Sequence, residues 1–490
     1  MADSPDRLRV LTLNCWGLKF LSDDHGPRLT HIGSLIANSP DPPQIVCLQE
    51  CWTAADYDSI RTQTLSILPH GKFYHSGIFG GGLAILSKWP IEESSMVRYP
   101  LNGRPTAFFR GDWFVGKGVA HARILLPKGD TMDREFIEVF CTHLHAPYEK
   151  EPHDSYICHR TAQAWEIAKL MKGALLRGSL VVAAGDFNML PDSLAHKLIS
   201  THGHAQDVWK VLHPDSSVGA WEDEVERRRG KPCPTAEYNI KHNGITCDSV
   251  LNTWRWGKQV RKRLRKEDIK GDMHAEDPRG KRLDYIFYSH MDRGEGSWAV
   301  EDAEVGMLGR HPELRCSLSD HFSVEATFTR TTAQNGQAQP HTPNSASNPV
   351  PRLPDPTHSS HLTFLPLTTY TEILHMISLY TAREHSQRRL RLSHLCLQLC
   401  ISIGCLIAIW WSPHAYVSFI LMLVSTFGLA AGVVDGLIGG LFVGSEERAL
   451  REFEWEIGNA RAWAGACGGE RGGERGRRVV DDEVHVRHGA

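Results

Sequence analysis

The chain of 490 residues is short of several things, and each shortage narrows what it can be. Its 12 cysteines include no Cys-x-x-Cys pair, so nothing suggests structural zinc, and they read as reduced, buried thiols of a cytosol-facing protein. It has almost no net charge: 54 Lys and Arg against 57 Asp and Glu leave −3, which gives no global pull toward nucleic acid. Its first residues, Met1-Ala2-Asp3-Ser4-Pro5-Asp6-Arg7, lack the apolar stretch of a secretory signal.

Charge is also missing from two long runs. Leu395–Trp411 carries none, nor does Tyr416–Val434, and after Asp435 the apolar character resumes to Val443. Both are long enough, or nearly so, to cross a hydrocarbon core of ~30 Å. The short connector 412–415 predicts an antiparallel hairpin, with Trp410, Trp411 and Tyr416 at interfacial positions. Arg383, Arg388, Arg389 and Arg391 precede the first run, and Arg448 and Arg451 follow the second. The positive-inside tendency then places both flanks and the N-terminal region in the cytosol. Gly428, Gly432, Gly436, Gly440 and Gly444 recur every four residues, a helix face that lets another backbone approach. Asp435 is costly inside a bilayer; it marks the membrane edge, the preferred reading, or makes a polar contact within the hairpin. The alternative, a buried soluble hairpin, lacks an apolar partner region of matching size.

Before these runs, residues 1–330 read as one α/β domain. Strand-like segments are Leu8–Asn14, Ile45–Glu50, Leu83–Leu86, Gly118–Leu126, Ile137–His143, Leu180–Gly185, Leu283–Tyr288 and Phe322–Phe328, with helical patterns at Ser155–Leu176 and Leu194–Ser200. Two sheets with outer helices fit this alternation. Residues 331–370, rich in Pro, Ser, Asn and Thr at their start, read as a flexible linker. Residues 371–394 form a juxtamembrane segment, 395–444 the hairpin, and 445–490 a cytosolic tail expected to be disordered from Gly468.

What is abundant is polar punctuation at the ends of apolar runs. Asn14-Cys15-Trp16, Leu48-Gln49-Glu50, Thr142-His143-Leu144-His145, Gly185-Asp186-Phe187-Asn188 and Ser319-Asp320-His321 each close a strand-like run, the last a short SLSDH, and Lys281-Arg282-Leu283-Asp284-Tyr285 joins them. Strands that deliver acids, amides and imidazoles to one edge build a pocket for a metal and a phosphate. Glu50 is the natural ligand for Mg²⁺, with Asn14 supplying its amide oxygen and Asp320 joining the metal shell. Asp186 and Asn188, two apart, project together from an extended segment; Asp186 holds the attacking water or the metal, and Asn188 donates to a phosphate oxygen. The competing reading of that pair is an Asx turn. His321 is the general base, oriented by Asp284, and His143, preferred over His145, contacts the phosphate or leaving group.

The order of these motifs resembles the endonuclease/exonuclease/phosphatase superfamily across roughly residues 8–328. LNCWGLKF, LQECW, GGGLAILSKWPI, FCTHLHAPY and GITCDSVLNTW are most similar to its neutral sphingomyelinase branch. The hairpin followed by ALREFEWEI resembles the fungal inositol phosphosphingolipid phospholipase C. That resemblance implies a four-layer α/β sandwich of the DNase-I-like type with a C-terminal two-helix transmembrane hairpin. It implies Mg²⁺ at Glu50, substrate at Asn188 and proton acceptance by His321, in an enzyme that releases ceramide from a membrane sphingolipid. It also implies an integral membrane protein of the endoplasmic reticulum or another endomembrane, the mitochondrial one included. Gly111–Lys117 fits the letters GxxxxGK, but Gly118 stands where a nucleotide-binding loop wants Ser or Thr. The resembling family carries this segment as a loop needed for activity, so Lys117 is expected near lipid phosphate and Asp112 as its support; a plain hairpin loop is the alternative. Basic clusters at Lys258–Lys266 and Arg227–Lys231 read either as solvated faces or as contacts to anionic phospholipid activators; a nucleic-acid groove is disfavoured. A phosphoinositide phosphatase or nuclease using the same metal site, or a membrane scaffold, stand as the other functional readings, and the sphingolipid headgroup is left open between phosphocholine and phosphoinositol.

Overall fold

The structure is a computed structural model that describes residues 5–19, 21–127, 135–149, 153–291, 297–331 and 364–469. Two six-stranded mixed sheets face each other. The first runs β11 (Ser297–Gly306), β12 (Ser323–Thr331), β1 (Arg7–Asn14), β2 (Ile45–Gln49), β4 (Leu83–Ser87), β3 (His70–Tyr74). The second runs β5 (Ile91–Arg98), β6 (Gly118–Leu126), β7 (Glu135–His143), β8 (Leu180–Asp186), β10 (Asp284–Ser289), β9 (Gln206–Asp207).

The central strands are apolar on both faces because both faces are covered. Val10, Ile45 and Ile85 meet Val139, Val182 and Ala184 between the sheets. Leu11, Leu13, Val46 and Leu48 point outward onto α1 (His25–Ala37) and α2 (Ala54–Thr64). Phe140, Val181, Ala183 and Phe287 point outward onto α3 (Ile157–Arg177) and α4 (Leu194–His202). Helix, sheet, sheet, helix is the expected four-layer sandwich.

Strand direction decides where the polar ends gather. β1 and β2 are parallel, as are β7 and β8, while β12 runs against β1 and β10 against β8. The C-terminal ends of β1, β2, β7 and β8 therefore meet the N-terminal ends of β10 and β12 at one edge. Asp186 stands opposite both His143 and Asp284 in register. At Gly185 a Cβ would lie 2.0 Å from the Thr142 carbonyl oxygen, so this close approach admits no side chain. One expectation is corrected here: Ser319–His321 does not close a strand but precedes β12, with an isolated bridge from His321 to Cys247.

Past the sandwich, one helix spans Leu367–Ala408, so it begins inside the segment expected as linker and passes without a break through the juxtamembrane region into the first apolar run. Residues 332–363 of that linker, and the tail from 470, lie outside the described residues. A turn at Ile409–Trp411 leads to a second long helix, Ala415–Leu437, a π-helical turn at Ile438–Phe442 and a C-terminal helix, Val443–Gly469. Both long helical stretches are long and apolar enough to cross a membrane. The glycine face works as expected for half its length. Gly428 and Gly432 abut Gln398, and Gly436 abuts Leu395. The π turn then rotates the face, so Gly439 rather than Gly440 meets Arg391. Asp435 pairs with Arg391 and accepts from His394 Nδ1 at 2.7 Å, which puts a polar contact inside the hairpin at its base.

The lower part of this assembly is not a free stalk. Tyr370, Ile373 and Ile377 from the first long helix, and Leu450, Phe453 and Ile457 from the C-terminal helix, are buried in one core with Trp165 and Met171 of α3. A polar cluster sits among them. Tyr380 Oη and His159 Nε2 lie 2.9 and 3.0 Å from Glu446 Oε1, and Arg104 Nε donates to Tyr380 Oη at 3.2 Å.

Candidate active site

The converging strand ends bring Asn14, Glu50, His143, Asp186, Asp284 and His321 together, all but Glu50 with less than a tenth of their surface exposed. Asn14 sits at the centre. Its Nδ2 donates to Glu50 Oε1 at 3.1 Å and to Asp186 Oδ2 at 3.0 Å, while its Oδ1 accepts the Trp16 N–H at 3.0 Å. Asn14 thus holds two carboxylates in place, and the Trp16 N–H takes one of the two lone pairs of its amide oxygen, which leaves the other for the metal role expected of it.

Glu50 leaves the other oxygen, Oε2, buried with no hydrogen-bond partner. Burial and the neighbouring Asp320 carboxylate both push its pKa up. A buried, repelled carboxylate with a lone oxygen is the donor set a hard divalent cation relieves. Glu50 and Asp320 are therefore the residues that fit one. The ligand atoms of Asp186, Asp284 and His321 also lie within 4.8 Å of one another. Their geometry is that of an oriented base, however: His321 Nδ1 donates to Asp284 Oδ2 at 2.8 Å, leaving Nε2 4.0 Å from Asp186 Oδ2. Burial opposes the charge on His321, but Asp284, Cys247 and Asp186 outweigh it and hold the imidazole well above its ordinary range. Burial, then Asp284, raises Asp186 to about 7.

The Gly185–Asn188 segment is extended only through Asp186, the last residue of β8, and then turns. Asn188 has φ 45°, its N–H binds Asp186 Oδ1 at 2.9 Å, and its Nδ2 donates to Leu144 O at 3.2 Å. The Asx turn is thus how the site is made: it fixes Asn188 while the second amide hydrogen stays free to donate. Trp16, Glu50 and Asp248 also have positive φ, so four residues at or beside the site hold a strained backbone.

The two histidines of Thr142–His145 separate cleanly. His143 Nε2 stands 3.5 Å from Asp186 Oδ2, facing the carboxylates. His145 is fully buried, stacks on Tyr156 at 3.9 Å and turns its Nδ1 to Ala146 O. Burial, with Lys117 nearby, keeps His143 well below its usual pKa, so it is neutral. Lys117 is buried and donates to the carbonyls of His143 and Leu144 at 3.4 and 3.2 Å. Asp112 lies on the same segment and accepts from Tyr148 Oη at 2.7 Å.

Three positioning residues escaped the sequence reading. Thr246 Oγ1 accepts the backbone N–H groups of Leu283 and Asp284, which fixes the start of β10. Ser319 Oγ donates to Asn14 O at 2.5 Å and accepts the His321 N–H, tying SDH to β1. Arg28, fully buried in α1, donates to the carbonyls of Trp16 and Leu318 and lies over the rings of Trp16 and Trp254. Ser319 lies in the SDH motif and Thr246 in GITCDSVLNTW, but neither they nor Arg28 was given a role there, because each acts on backbone. The basic clusters lie apart from the catalytic atoms. In the helix Lys258–Leu264 region, Arg263 and Arg265 pair with Glu267 and Asp24, while Lys258, Lys262 and Lys266 are exposed.

The sequence model of the Endonuclease/Exonuclease/phosphatase family matches residues 11–321, which contain every residue of this site. Over 451 residues the chain is 37% identical to the Schizosaccharomyces pombe protein named Inositol phosphosphingolipids phospholipase C, covering 92% of this chain and 93% of that one. A Saccharomyces cerevisiae protein of the same name is 31% identical over 474 residues, 92% of this chain and 89% of that one. Sphingomyelin phosphodiesterase 2 of Homo sapiens is 28% identical over 322 residues, 66% of this chain and 64% of that one. The chain belongs to the Endonuclease/Exonuclease/phosphatase family, in the branch that holds the inositol phosphosphingolipids phospholipases C and the neutral sphingomyelinases.

Proposed function

We propose that this chain is a membrane-anchored, Mg²⁺-dependent phospholipase C that cuts sphingolipids, inositol phosphosphingolipids or sphingomyelin, into ceramide and a phosphorylated headgroup. As an enzyme it is a phosphoric diester hydrolase. One observation carries the substrate class: the likeness to the fungal phospholipase C spans 92% of the chain, so it takes in the hairpin as well as the catalytic domain.

The residues divide the work. His321, aligned by Asp284 through Nδ1, presents Nε2 to take the proton of a water that attacks phosphorus. Asp186 stands 4.0 Å from that nitrogen and can hold the same water. Neutral His143 and the free amide hydrogen of Asn188 donate to phosphoryl oxygens, and Lys117 adds positive potential from beneath. Glu50, with Asp320 beside it, would hold a divalent cation, which when bound would supply charge neutralisation at those oxygens. The P–O bond to ceramide breaks as the new P–O bond forms, and the leaving oxygen takes a proton from water at the mouth of the site to give ceramide, while His321 returns its proton to solvent. Anionic phospholipids act as activators through the exposed lysines, and the hairpin keeps the enzyme on an endomembrane with its catalytic domain in the cytosol.

The test is turnover by the pure protein in mixed micelles, sphingomyelin beside inositol phosphorylceramide, with Mg²⁺ and with EDTA. Ceramide release from at least one lipid, lost in EDTA, is expected. Release of inorganic phosphate with no ceramide would overturn the reading.

A further inference from the structure

Four large apolar side chains stand in the open beside the catalytic domain's contact with the hairpin. Ile78, Phe79, Phe108 and Phe109 are 72%, 60%, 52% and 75% exposed. They come from two loops, between β3 and β4 and between β5 and β6, that are fastened together. The N–H groups of Ile78 and Phe79 bind Phe114 O at 3.1 and 3.2 Å, Gly116 N–H binds Gly80 O at 2.9 Å, and the rings of Phe79 and Phe114 lie 5.7 Å apart. Gly77 and Gly116 let the loops touch: a Cβ on either would come within 2.4 Å of the other's backbone nitrogen. Four apolar tips on a hydrogen-bonded platform are held out to solvent, a feature that marks an interaction surface.

The position of this surface names its partner. The second of these loops contacts the hairpin twice: Trp113 packs on Phe442 with ring centroids 4.4 Å apart, and Arg391 Nη2 donates to Thr106 O at 3.3 Å. Arg391 is four residues, about 6 Å of helix, before Leu395, where the uncharged run begins. The loop is therefore level with the point at which the hairpin enters a bilayer. The same loop carries Asp112 and ends at Lys117, in the floor of the catalytic site.

On the reading that the hairpin is membrane-embedded, we propose that Ile78, Phe79, Phe108 and Phe109 form a second membrane contact, which seats the loops in the lipid interface and turns the catalytic mouth toward the bilayer. Aromatic and aliphatic tips suit the headgroup–acyl boundary. Such a seat lets a two-chained lipid slide its scissile phosphodiester toward Lys117 and His143 while its tails stay in the membrane.

The experiment uses the full chain in neutral phosphatidylcholine vesicles. Carbonate extraction first establishes the anchor; release of the wild type would overturn the anchor and this proposal with it. The fourfold variant Ile78→Ser, Phe79→Ser, Phe108→Ser, Phe109→Ser is then compared with wild type on long-chain inositol phosphorylceramide or sphingomyelin in the same vesicles, and on a short-chain, water-soluble form of that lipid. Turnover of the vesicle substrate should fall roughly tenfold while turnover of the soluble substrate holds, because only the first needs the interfacial seat. Replacing Phe108 and Phe109 by Trp should preserve vesicle turnover, which separates partitioning from damage to the loops. Brominated phospholipid should also quench the Phe109→Trp variant more than wild type. Retention of the anchor with an unchanged ratio of vesicle to soluble turnover, or no added quenching, would overturn the second contact and leave the anchor standing.

Discussion

The catalytic cluster and the docking cluster are both buried, both mix carboxyls with histidine, and both hold carboxyls that burial pushes up: Asp186 in the first, Glu384 and Glu446 in the second, each to about 7. They differ in backbone. The catalytic groups hang from strand ends and turns, with left-handed φ at Trp16, Glu50 and Asn188. In the docking cluster His159, Tyr380, Glu384 and Glu446 sit in regular helices. Both leave buried carboxylate oxygens without a hydrogen-bond partner, Glu50 Oε2 in the first and Glu384 Oε2 and Glu446 Oε2 in the second, but only the first sets them on a strained backbone. Regular helices at the second let acid, phenol and imidazole meet at hydrogen-bond distance. Buried charge is therefore arranged for reaction at one place and for attachment at the other.

The widest gap between the two should appear on removing Glu50. Glu50→Gln takes away the carboxylate that fits the cation, so turnover should fall on the order of 10³-fold, the scale of several kcal/mol of lost charge stabilisation. Because burial and Asp320 already disfavour that charge, thermal stability should hold or rise. Assaying turnover and melting temperature on one preparation checks both. A variant that loses fold and activity together would make Glu50 a packing residue, like those of the docking cluster.

His321 comes next. Its imidazole is held well above the ordinary range, with Asp284 as the strongest of the raising charges, and only its free form can take a proton. Activity should therefore drop on the acidic side at a pH above ~6.5. His321→Ala should cost about 10²–10⁴-fold in turnover. Asp284→Asn should lower the rate and also shift the acidic limb to lower pH, because the charge that raises the imidazole is gone. A pH–rate profile with an unmoved limb would assign the limb to another group.

The same contrast explains what could be read in the sequence. The catalytic residues were legible because chemistry demands fixed residue types at the ends of apolar runs, and β1, β2, β7 and β8 advertise those runs. Eight strands were foreseen and four were not: β3, β5, β9 and β11. Those four are the edges of the two sheets. An edge strand has one pairing side open and carries charge there, as IEESSMVR does, so it lacks the apolar signal. The docking cluster was illegible for a different reason. Arg104, His159, Tyr380 and Glu446 are far apart in the chain, and only tertiary packing unites them. The same packing placed the start of a helix at Leu367, where composition suggested linker.

Titrating the docking cluster should give a smaller effect. Burial, then repulsion from Glu446, raises Glu384; burial also leads the rise of Glu446. A carboxyl whose folded pKa is raised stabilises the docked state fully below its unfolded value near 4.5 and loses that contribution as pH climbs through about 7. His159, which burial and Arg104 hold down at about 3, offsets part of this below pH 6.5, where only the undocked imidazole takes up a proton, so the net dependence is that of two carboxyls less one histidine. Attachment of the two helices to α3 should weaken by at most about 1.4 kcal/mol per pH unit for each carboxyl that titrates. Hydrogen exchange of residues 370–384 and 446–457 at pH 5.5 and 7.5 measures it. Glu446→Gln should flatten the dependence, and an equally steep variant would locate the titration elsewhere.

The smallest effect expected concerns the basic helix, where the structure changes which residues to test. Neutralising arginines there would mostly break pairs: Arg261 lies 3.8 Å from Asp23, Arg263 pairs with Glu267 and Arg265 with Asp24. Loss of lipid response in such a variant would be confounded with the released aspartates and glutamate. Lys258, Lys262 and Lys266 are exposed on the same helix and its cap, and they offer free charge to a membrane surface. Each is worth ~1 kcal/mol near an anionic bilayer and less once salt shortens the reach to ~8 Å. Adding phosphatidylserine to neutral substrate vesicles should raise turnover. Lys258→Gln, Lys262→Gln and Lys266→Gln together should abolish that rise and leave the rate on neutral vesicles unchanged, since none of the three touches the catalytic atoms. Raising salt should mimic the variant in wild type and do nothing further to the variant. A triple variant that keeps its full response to phosphatidylserine would shift the lipid contact to the arginines at the root of the hairpin, Arg388 and Arg389, and so move charge sensing from the catalytic domain to the docking side.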